Sequence, residues 1–268
     1  MTGSVETFQL SVEAAEVYEA NFVPALFAEW APQLVEAAGV VPGQAVLDVA
    51  CGTGVVARTA ADRMGGQGRV VGLDLNQGML TVAGRLRPDI EWRQGDAADL
   101  PFEPGSFDVV LCQAALMFFP DRAGSLREMA RVARAGGTVA VQVWDRLEAQ
   151  EGYGAMYDAF ARHLGPEAAQ LESAYWALGD LGLLGSLFEA AGLEITATRT
   201  RVGTVRFASA TDAIATEIEA TPLAERISKD TYDRLLEAAT EAMRPFTVDG
   251  GRVELPIKGH LITATRPA

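Results

Sequence analysis

Residues 45–54, AVLDVACGTG, limit the fold of this chain most strongly, because a short apolar run leads directly into a glycine-containing turn. Such a run predicts a buried strand of a parallel sheet, and the glycines predict a tight turn into a helix. Similar apolar runs recur at 69–75, 90–94, 107–113 and 138–144, with helical patterns between them. Strands that alternate with helices predict right-handed crossovers and a parallel sheet with helices on both faces.

The remaining segments predict helices and two further strands. Residues 11–38 predict two helices, with Pro24 in a first helical turn and Gly39 as the stop. Helices between the strands are predicted at 55–64, 76–87 and 121–134. After residue 145 the sequence predicts helices at 151–164, 166–177, 180–191, 210–220 and 229–243, a strand at 193–207 and a final strand at 252–267.

The charge balance excludes several kinds of partner. The 268 residues carry 22 basic and 36 acidic side chains, a net charge of −14, and contain no run of Lys or Arg. Binding to nucleic acid or to an anionic membrane surface needs basic side chains, so neither partner is expected. No apolar run approaches the ~18 residues of a membrane span, and the first ten residues do not resemble a signal peptide. We therefore expect a cytoplasmic protein.

The two cysteines, Cys51 and Cys112, are too few for a disulfide framework and lack zinc-like spacing. We predict that both are small, buried, reduced thiols. No cluster of carboxylates and histidines suggests a divalent metal, so no metal site is expected.

Acidic residues follow the first three predicted strands. In open α/β sheets, ligands bind at the carboxyl ends of the strands, where glycines allow close approach. Asp74 lies 20 residues after Gly54 (74 − 54), a spacing suited to binding ribose hydroxyls. The pattern Gly52-x-Gly54-x-x-Ala57 with Asp74 is formally also a dinucleotide fingerprint. A nicotinamide-dependent oxidoreductase therefore stays an alternative.

Two further carboxylates favour a different cofactor. Asp48 lies directly beside the glycine turn, where it would repel a pyrophosphate and attract an ammonium or sulfonium group. Asp96, after the third strand, could accept a hydrogen bond from the amino group of an adenine. Together with Asp74 they predict a site for a cationic nucleoside cofactor. Each carboxylate taken alone could instead be a helix cap or turn former.

Four segments resemble the successive motifs of class I S-adenosylmethionine-dependent methyltransferases, in particular the ubiquinone- and menaquinone-biosynthesis type. They are VLDVACGTG, GLDLNQGML, GDAADLPFEPGSFDVVLCQ and ARAGGTVAVQVW, within residues 40–145. The resemblance implies a doubly wound, Rossmann-like α/β fold with a seven-stranded sheet, mostly parallel with an antiparallel last strand. We expect one domain over 1–268, with N-terminal helices (1–40), a cofactor-binding half (41–145) and helical cap insertions (146–179 and 209–246).

The same resemblance implies S-adenosylmethionine as the cofactor. The residues implied to bind it are Tyr18, Asp48, Gly52, Thr53, Gly54, Asp74, Leu75, Met79, Gly95, Asp96, Ala97 and Gln113. Asp74 would bind the ribose, and its replacement by alanine should weaken cofactor binding at least tenfold, about 1.4 kcal/mol. The chain departs from the family's glycine motif at one position, because the first small residue of the motif is Ala50 rather than glycine.

No catalytic base stands out. Methyl transfer mainly needs alignment of the reacting atoms and exclusion of water, and a base only where the acceptor must lose a proton. The two histidines, His163 and His260, are weak candidates, and a structural role is favoured for each.

Aromatic residues predict an apolar or aromatic small-molecule acceptor, whose identity and methylated atom the sequence leaves open. The candidates are Phe118, Trp144, Tyr153 and Tyr157, the last two on one face of the predicted 151–164 helix. That face could instead be core packing. If it lines the acceptor site, Tyr153→Ala and Tyr157→Ala should reduce turnover more than stability. A non-catalytic S-adenosylmethionine-binding protein is the other alternative, and the oligomeric state stays open.

Overall fold

The computed structural model describes residues 10–164, 174–219 and 227–268. Its sheet is formed by strands β1 (Ala45–Val49), β2 (Arg69–Asp74), β3 (Glu91–Gln94), β4 (Phe107–Gln113), β5 (Ala133–Trp144), β6 (Glu194–Phe207) and β7 (Val253–Thr265). The strand order is β3-β2-β1-β4-β5-β7-β6. Strands β1 to β5 are parallel, and β7 runs antiparallel to both of its neighbours. The predicted seven-stranded, mostly parallel sheet with an antiparallel last strand is confirmed.

Helices cover the sheet and extend beyond it. They are α1 (Val12–Val17), a π-helix (Tyr18–Phe27), α2 (Ala31–Ala37), α3 (Val55–Met64), α4 (Gln77–Leu86), α5 (Arg122–Val132), α6 (Glu151–Leu164), α7 (Leu181–Ala190), α8 (Ala210–Glu219) and α9 (Lys229–Ala242). The strand order reverses beside β1, which lies between β2 and β4. In sheets of this kind the reversal leaves a crevice at the carboxyl ends of the strands.

The N-terminal helices differ from the prediction. Instead of two separate helices, α1 continues directly into the π-helix, and α2 follows after a short turn. The prediction that Pro24 occupies a first helical turn is wrong, because Pro24 lies inside the π-helix. Pro24 has no N–H to donate, and the Ala28 N–H donates instead to the Val23 carbonyl five residues earlier, at 2.8 Å. Wide turns of this kind are frequent at functional sites.

The described helices of the predicted caps lie at the antiparallel end of the sheet. Helix α6 packs against α9 and β7, while α8 packs against α9, β6 and the π-helix. The helix predicted at 166–177 lies mostly outside the described residues. Strand β5 begins five positions earlier than predicted, at Ala133 rather than at residue 138, because Ala133 pairs with Phe107 of β4. The domain boundaries themselves stay a prediction.

Strand β6 forms one edge of the sheet. Its first part is largely exposed, including Arg199 and Arg201. The register with β7 shifts between Ile195 and Ala197, which marks an irregularity near the start of this edge.

Gly54 is expected to tolerate substitution poorly. It begins α3 with φ +89°, and a Cβ added there would lie 2.2 Å from Cη2 of Trp92. Gly65, which ends the same helix at φ +60°, has nothing within 4 Å of such a Cβ and is a matched control. The left-handed backbone alone costs roughly 1–2 kcal/mol for alanine. In urea denaturation, Gly54→Ala should lower the free energy of unfolding more than Gly65→Ala, and equal losses would contradict the close contact with Trp92.

Candidate functional site

A cavity of about 260 Å³ lies at the carboxyl ends of β1, β2 and β4, below the π-helix. The predicted cofactor residues among those lining it are Tyr18, Gly52, Asp74, Leu75, Met79, Gly95, Asp96, Ala97 and Gln113. Of the predicted acceptor residues, Phe118 lines it as well. The structure therefore brings the loops after the first four strands together around one space.

Backbone strain is concentrated in this cavity. Among the described residues, Ala50 (φ +55°) and Ala114 (φ +50°) are the non-glycine residues with positive φ, and both line the cavity. Strained residues of this kind cluster at ligand sites, where the surrounding structure holds them in place. Ala50 is the position where the sequence departs from glycine, and it keeps the left-handed conformation that glycine would adopt freely.

The Asp74 carboxylate organises the glycine turn. Its Oδ2 accepts a hydrogen bond from the Gly52 N–H at 2.7 Å, and its Oδ1 accepts one from the Asn76 N–H at 2.8 Å. Burial raises the pKa of Asp74, while these amide donors act in the opposite direction. The carboxylate is thus held in a fixed orientation at the cavity wall.

Asp48 lies in β1, directly before the glycine turn, and is buried. Its carboxyl is 1% exposed and is not part of the cavity wall. Its Oδ2 accepts a hydrogen bond from the Ala57 N–H at 3.0 Å, which fixes the start of α3 beneath the turn. Burial raises the pKa of Asp48 from 3.8 to about 8. The structure therefore supports an effect of Asp48 on the turn rather than direct contact with a ligand.

The raised pKa predicts a pH dependence of stability. The folded protein favours the protonated form of Asp48. The stabilising contribution of this group to the free energy of unfolding is therefore complete below about pH 4 and is lost as the pH rises through about 8. Asp48→Asn lacks this titration. Relative to wild type, its free energy of unfolding should increase from pH 5 to pH 8, by at most about 1.4 kcal/mol per pH unit. Urea denaturation across this range, with Asp62→Asn as an exposed control, measures the difference. A constant difference between wild type and Asp48→Asn would contradict the prediction.

The π-helix places aromatic rings over the cavity. Tyr18 stacks with Phe27 at 5.5 Å between ring centroids and lies 5.8 Å from Phe22. All three residues line the cavity. Burial raises the pKa of Tyr18 well above its ordinary value, so its hydroxyl stays protonated at neutral pH. Tyr18, Phe22 and Phe27 therefore form an aromatic cover on one side of the cavity.

Glu19 fastens this helix to α3. Its carboxylate accepts hydrogen bonds from the Thr53 hydroxyl at 2.5 Å and from the Arg58 guanidinium at 2.8 Å. Thr53 is thus in contact with the covering helix and does not line the cavity. Gly54, the other predicted cofactor residue of this turn outside the cavity wall, lies against Trp92.

The segments after β2 and β3 form the opposite end of the cavity. Leu75, which is 43% exposed, and Met79, which is buried on α4, both line it. Asp96 Oδ1 accepts a hydrogen bond from the Ala98 N–H at 2.8 Å, which holds the carboxylate in its turn.

Gln113 lies at the cavity wall and is largely buried. Its Nε2 donates to the Phe27 carbonyl at 3.1 Å, which ties β4 to the covering helix. Its Oε1 is buried and has no hydrogen-bond partner among the described residues. A buried carbonyl oxygen without a partner costs free energy, and a donor or positive charge on a ligand would relieve that cost.

The predicted acceptor residues divide into two groups. Phe118 lines the cavity and meets Tyr175 edge-on at 4.8 Å. Trp144 is 1% exposed and packs edge-on against Trp30 at 5.3 Å, outside the cavity wall. Tyr153 and Tyr157 are also buried outside the cavity wall.

The two tyrosines of α6 belong to an aromatic cluster beneath the caps. The Trp176 ring lies 5.2 Å from that of Tyr153 and 6.0 Å from that of Tyr157. The Glu217 carboxyl lies beside the Tyr153 hydroxyl, and burial raises the pKa of Glu217 to about 7. This arrangement supports core packing rather than direct contact with an acceptor. Sequence reasoning missed both Glu217 and Tyr175, since neither lies in a recognisable motif.

Neither histidine lines the cavity wall as the structure describes it. His260 is 3% exposed; its Nδ1 lies 2.8 Å from the Thr200 hydroxyl and its Nε2 lies 3.2 Å from the Gly179 carbonyl. Asp145 Oδ1 lies 3.3 Å from the same Nε2. His260 thus connects β7, β6 and the segment before α7. His163 lies in α6, and its side chain is outside the described part of the structure.

The described residues also bear on the metal and cysteine predictions. They contain no group of three or more His, Cys, Asp or Glu side chains that could hold a metal ion. They contain no helix long and apolar enough to cross a membrane. Cys51 and Cys112 are free and buried, and burial raises the pKa of both thiols.

The part of the chain that forms most of the cavity is similar to known proteins. Residues 47–141 match the family described as a methyltransferase domain. Over 112 residues the chain is 46% identical to demethylmenaquinone methyltransferase from Renibacterium salmoninarum, covering 42% of this chain and 46% of that protein. Over 118 residues it is 37% identical to 2-phytyl-1,4-naphthoquinone methyltransferase from Synechococcus elongatus, a match that covers 42% of this chain and 51% of that protein. The chain matches about half the length of these curated relatives.

A solved structure resembles nearly the whole chain. Phosphoethanolamine N-methyltransferase 2 from Haemonchus contortus was solved with phosphomonomethylethanolamine and S-adenosylhomocysteine. It matches with a TM-score of 0.60 at 18% identity, over 96% of this chain and 58% of that one. This likeness establishes the fold.

Proposed function

We propose that this chain, whose residues 47–141 match a methyltransferase domain, transfers a methyl group from S-adenosylmethionine to a small apolar or aromatic molecule. The cavity below Tyr18 carries this proposal, because it combines the Asp74 carboxylate, the Gly52 turn and the Asp96 loop at the ends of adjacent strands. These are the groups that a cationic nucleoside ligand needs. The same cavity would bind the product, S-adenosylhomocysteine.

The residues present fit such a ligand. Asp74 would bind the ribose hydroxyls, and Leu75 and Met79 would contact the faces of the adenine with Asp96 at its edge. Gly52, which has no side chain, leaves the backbone open to the methionine part. The unpartnered Gln113 Oε1 would accept a hydrogen bond from the α-ammonium or lie near the positive sulfur. When bound, S-adenosylmethionine supplies a methyl group on a positively charged sulfur.

The residues of the chain would orient the ligands and exclude water from the cavity. Tyr18, Phe22 and Phe27 cover the cavity, and Glu19 fastens their helix to α3. Excluding water strengthens the charge interactions inside the cavity. The residues around the cavity would hold the reacting atoms in line for displacement. An acceptor atom that already carries a free lone pair or a negative charge needs no group of the described cavity wall to remove a proton from it. Alignment is therefore the proposed source of rate.

An apolar or aromatic acceptor is supported by the cavity rim. Phe118, Phe119, Pro120 and Tyr175 line it beyond the glycine turn. The names of the two curated relatives refer to quinone-type ring compounds, which are flat and largely apolar. The net charge of −14 disfavours a nucleic acid in that place. The insertions at 146–179 and 209–246 would close the acceptor side as caps.

Thermal denaturation with candidate ligands tests the cofactor assignment. S-adenosylhomocysteine at about 100 times its dissociation constant should stabilise the protein by about 2.7 kcal/mol. NAD and NADP should leave the melting temperature unchanged. Stabilisation by NAD or NADP without stabilisation by S-adenosylhomocysteine would contradict the proposal and favour an oxidoreductase.

Turnover tests the reaction itself. The protein is incubated with S-adenosylmethionine and a panel of flat hydroxylated, quinol and amine acceptors, and mass spectrometry follows product formation. We expect S-adenosylhomocysteine to accumulate together with an acceptor heavier by one methylene. Cofactor binding without methyl transfer to any acceptor would favour a non-catalytic binding protein.

A further inference from the structure

The indole of Trp92 fills a space that three glycines leave open. Trp92 on β3 pairs in register with Gly72 on β2, so both residues face the same side of the parallel sheet. A Cβ added to Gly72 would lie 2.3 Å from Trp92 Cζ3, and one added to Gly54 would lie 2.2 Å from Trp92 Cη2. At the other end of the ring, Trp92 Cδ1 would lie 3.7 Å from a Cβ added to Gly84 of α4. The ring therefore crosses β2 and reaches the residue at the start of α3.

The indole is also fixed in its orientation. Trp92 Nε1 donates a hydrogen bond to the Arg87 carbonyl at 2.9 Å, at the end of α4. The Arg87 guanidinium in turn pairs with the Asp62 carboxylate of α3 at 2.7 Å. Glycine inside a strand or a helix lowers stability relative to alanine, and Gly72 and Gly84 lie inside β2 and α4. The close fit of the indole offsets that cost.

The turn that the indole touches forms part of the cavity. The Gly54 N–H donates to the Cys51 carbonyl at 2.9 Å, which closes the turn. The Gly52 N–H donates to Asp74, and both of these residues line the cavity. Trp92 lies outside the cavity wall, against Gly54. The turn is therefore held between the Asp74 carboxylate and the Trp92 ring, and a change in the ring would shift the turn.

We propose that Trp92 is a positioning residue for the cofactor, an inference that rests on the proposed function. Its indole holds the glycine turn at the place from which Gly52 and Asp74 would bind S-adenosylmethionine. Binding groups must be held within about 0.5 Å of their productive positions, so the residues that support them set the affinity. Trp92 touches no ligand and acts through Gly54.

Trp92→Phe tests this role, because the smaller ring leaves empty the space that Cζ3 and Cη2 occupy. Isothermal titration calorimetry, at a temperature at which the variant is folded, should show S-adenosylhomocysteine binding weakened about tenfold. Phe107→Leu is the matched control. Phe107 is a buried aromatic residue at the start of β4, away from the carboxyl ends of the strands where the cavity lies. This variant should lose stability and bind normally, as a merely structural Trp92 would also do when replaced.

The Gly54→Ala background provides a second test. The added methyl group would collide with Cη2 of Trp92, and Trp92→Phe would remove that collision. In this background Trp92→Phe should therefore strengthen S-adenosylhomocysteine binding about threefold, although it weakens the binding of the wild type. The strain of the left-handed backbone at Gly54 is present with either ring and does not affect this comparison.

Two results would overturn the role of Trp92. One is wild-type affinity in Trp92→Phe, and the other is an equal loss of affinity on replacing Trp92 in both backgrounds. A wild-type protein that does not bind S-adenosylhomocysteine would overturn the proposed function, and the role of Trp92 with it. Normal binding by wild type and by Trp92→Phe alike would overturn the role of Trp92 alone.

Discussion

Asp74→Ala should weaken S-adenosylhomocysteine binding at least a hundredfold, that is by about 2.7 kcal/mol or more. The substitution removes the proposed acceptor for two ribose hydroxyls, and each hydrogen bond to a charged group contributes about 1.5–3 kcal/mol. It also releases the Gly52 N–H, which Asp74 Oδ2 binds at 2.7 Å. The turn would then lose part of its orientation. Isothermal titration calorimetry measures the affinity.

Two controls separate these effects. Asp74→Asn keeps one oxygen for the turn and should show an intermediate loss of affinity. Asp99→Ala removes an exposed carboxylate from the neighbouring loop, outside the cavity wall, and should bind normally. Unchanged affinity in Asp74→Ala would mean that the ribose is bound elsewhere.

Tyr153→Ala and Tyr157→Ala should each lower the free energy of unfolding by about 3–5 kcal/mol, as expected for a large buried aromatic. Both rings pack against Trp176, and both tyrosines are buried outside the cavity wall. S-adenosylhomocysteine affinity should stay unchanged at temperatures where the variants are folded. Urea denaturation and calorimetry together measure the two effects.

Tyr153→Phe is the matched control for the first of these variants. It keeps the ring in the cluster and removes only the hydroxyl beside Glu217. Most of the stability should therefore be retained. If Tyr153→Ala and Tyr157→Ala lost turnover while remaining as stable as wild type, the tyrosines would contact the acceptor and the packing interpretation would be wrong.

The glycine turn and its sheet could be predicted because their determinants are local. The run before Gly52 is apolar, the turn needs residues without side chains, and the spacing to Asp74 follows from one crossover helix. Each of these signals lies within a few residues along the chain. The fold of residues 45–144 is therefore largely determined by short sequence segments.

The acceptor side could not be predicted in the same way. Tyr175 lines the cavity from the segment before α7, and the contact of that segment with His260 at Gly179 joins residues far apart in sequence. The burial of Asp48 beneath the turn depends on the Ala57 amide, which periodicity does not reveal. Whether an aromatic face on α6 meets a ligand or a tryptophan is decided by tertiary packing alone.

The edge strand β6 bears on how copies of this protein behave in concentrated solution. An exposed edge offers free backbone groups to any extended segment, which is how sheets aggregate. Arg199 and Arg201 are exposed on this strand, and its pairing with β7 is irregular near Thr196. Charges and irregularities of this kind discourage edge-to-edge association. Together with the mutual repulsion of molecules carrying a charge of −14, they favour dispersed particles over fibrous assemblies.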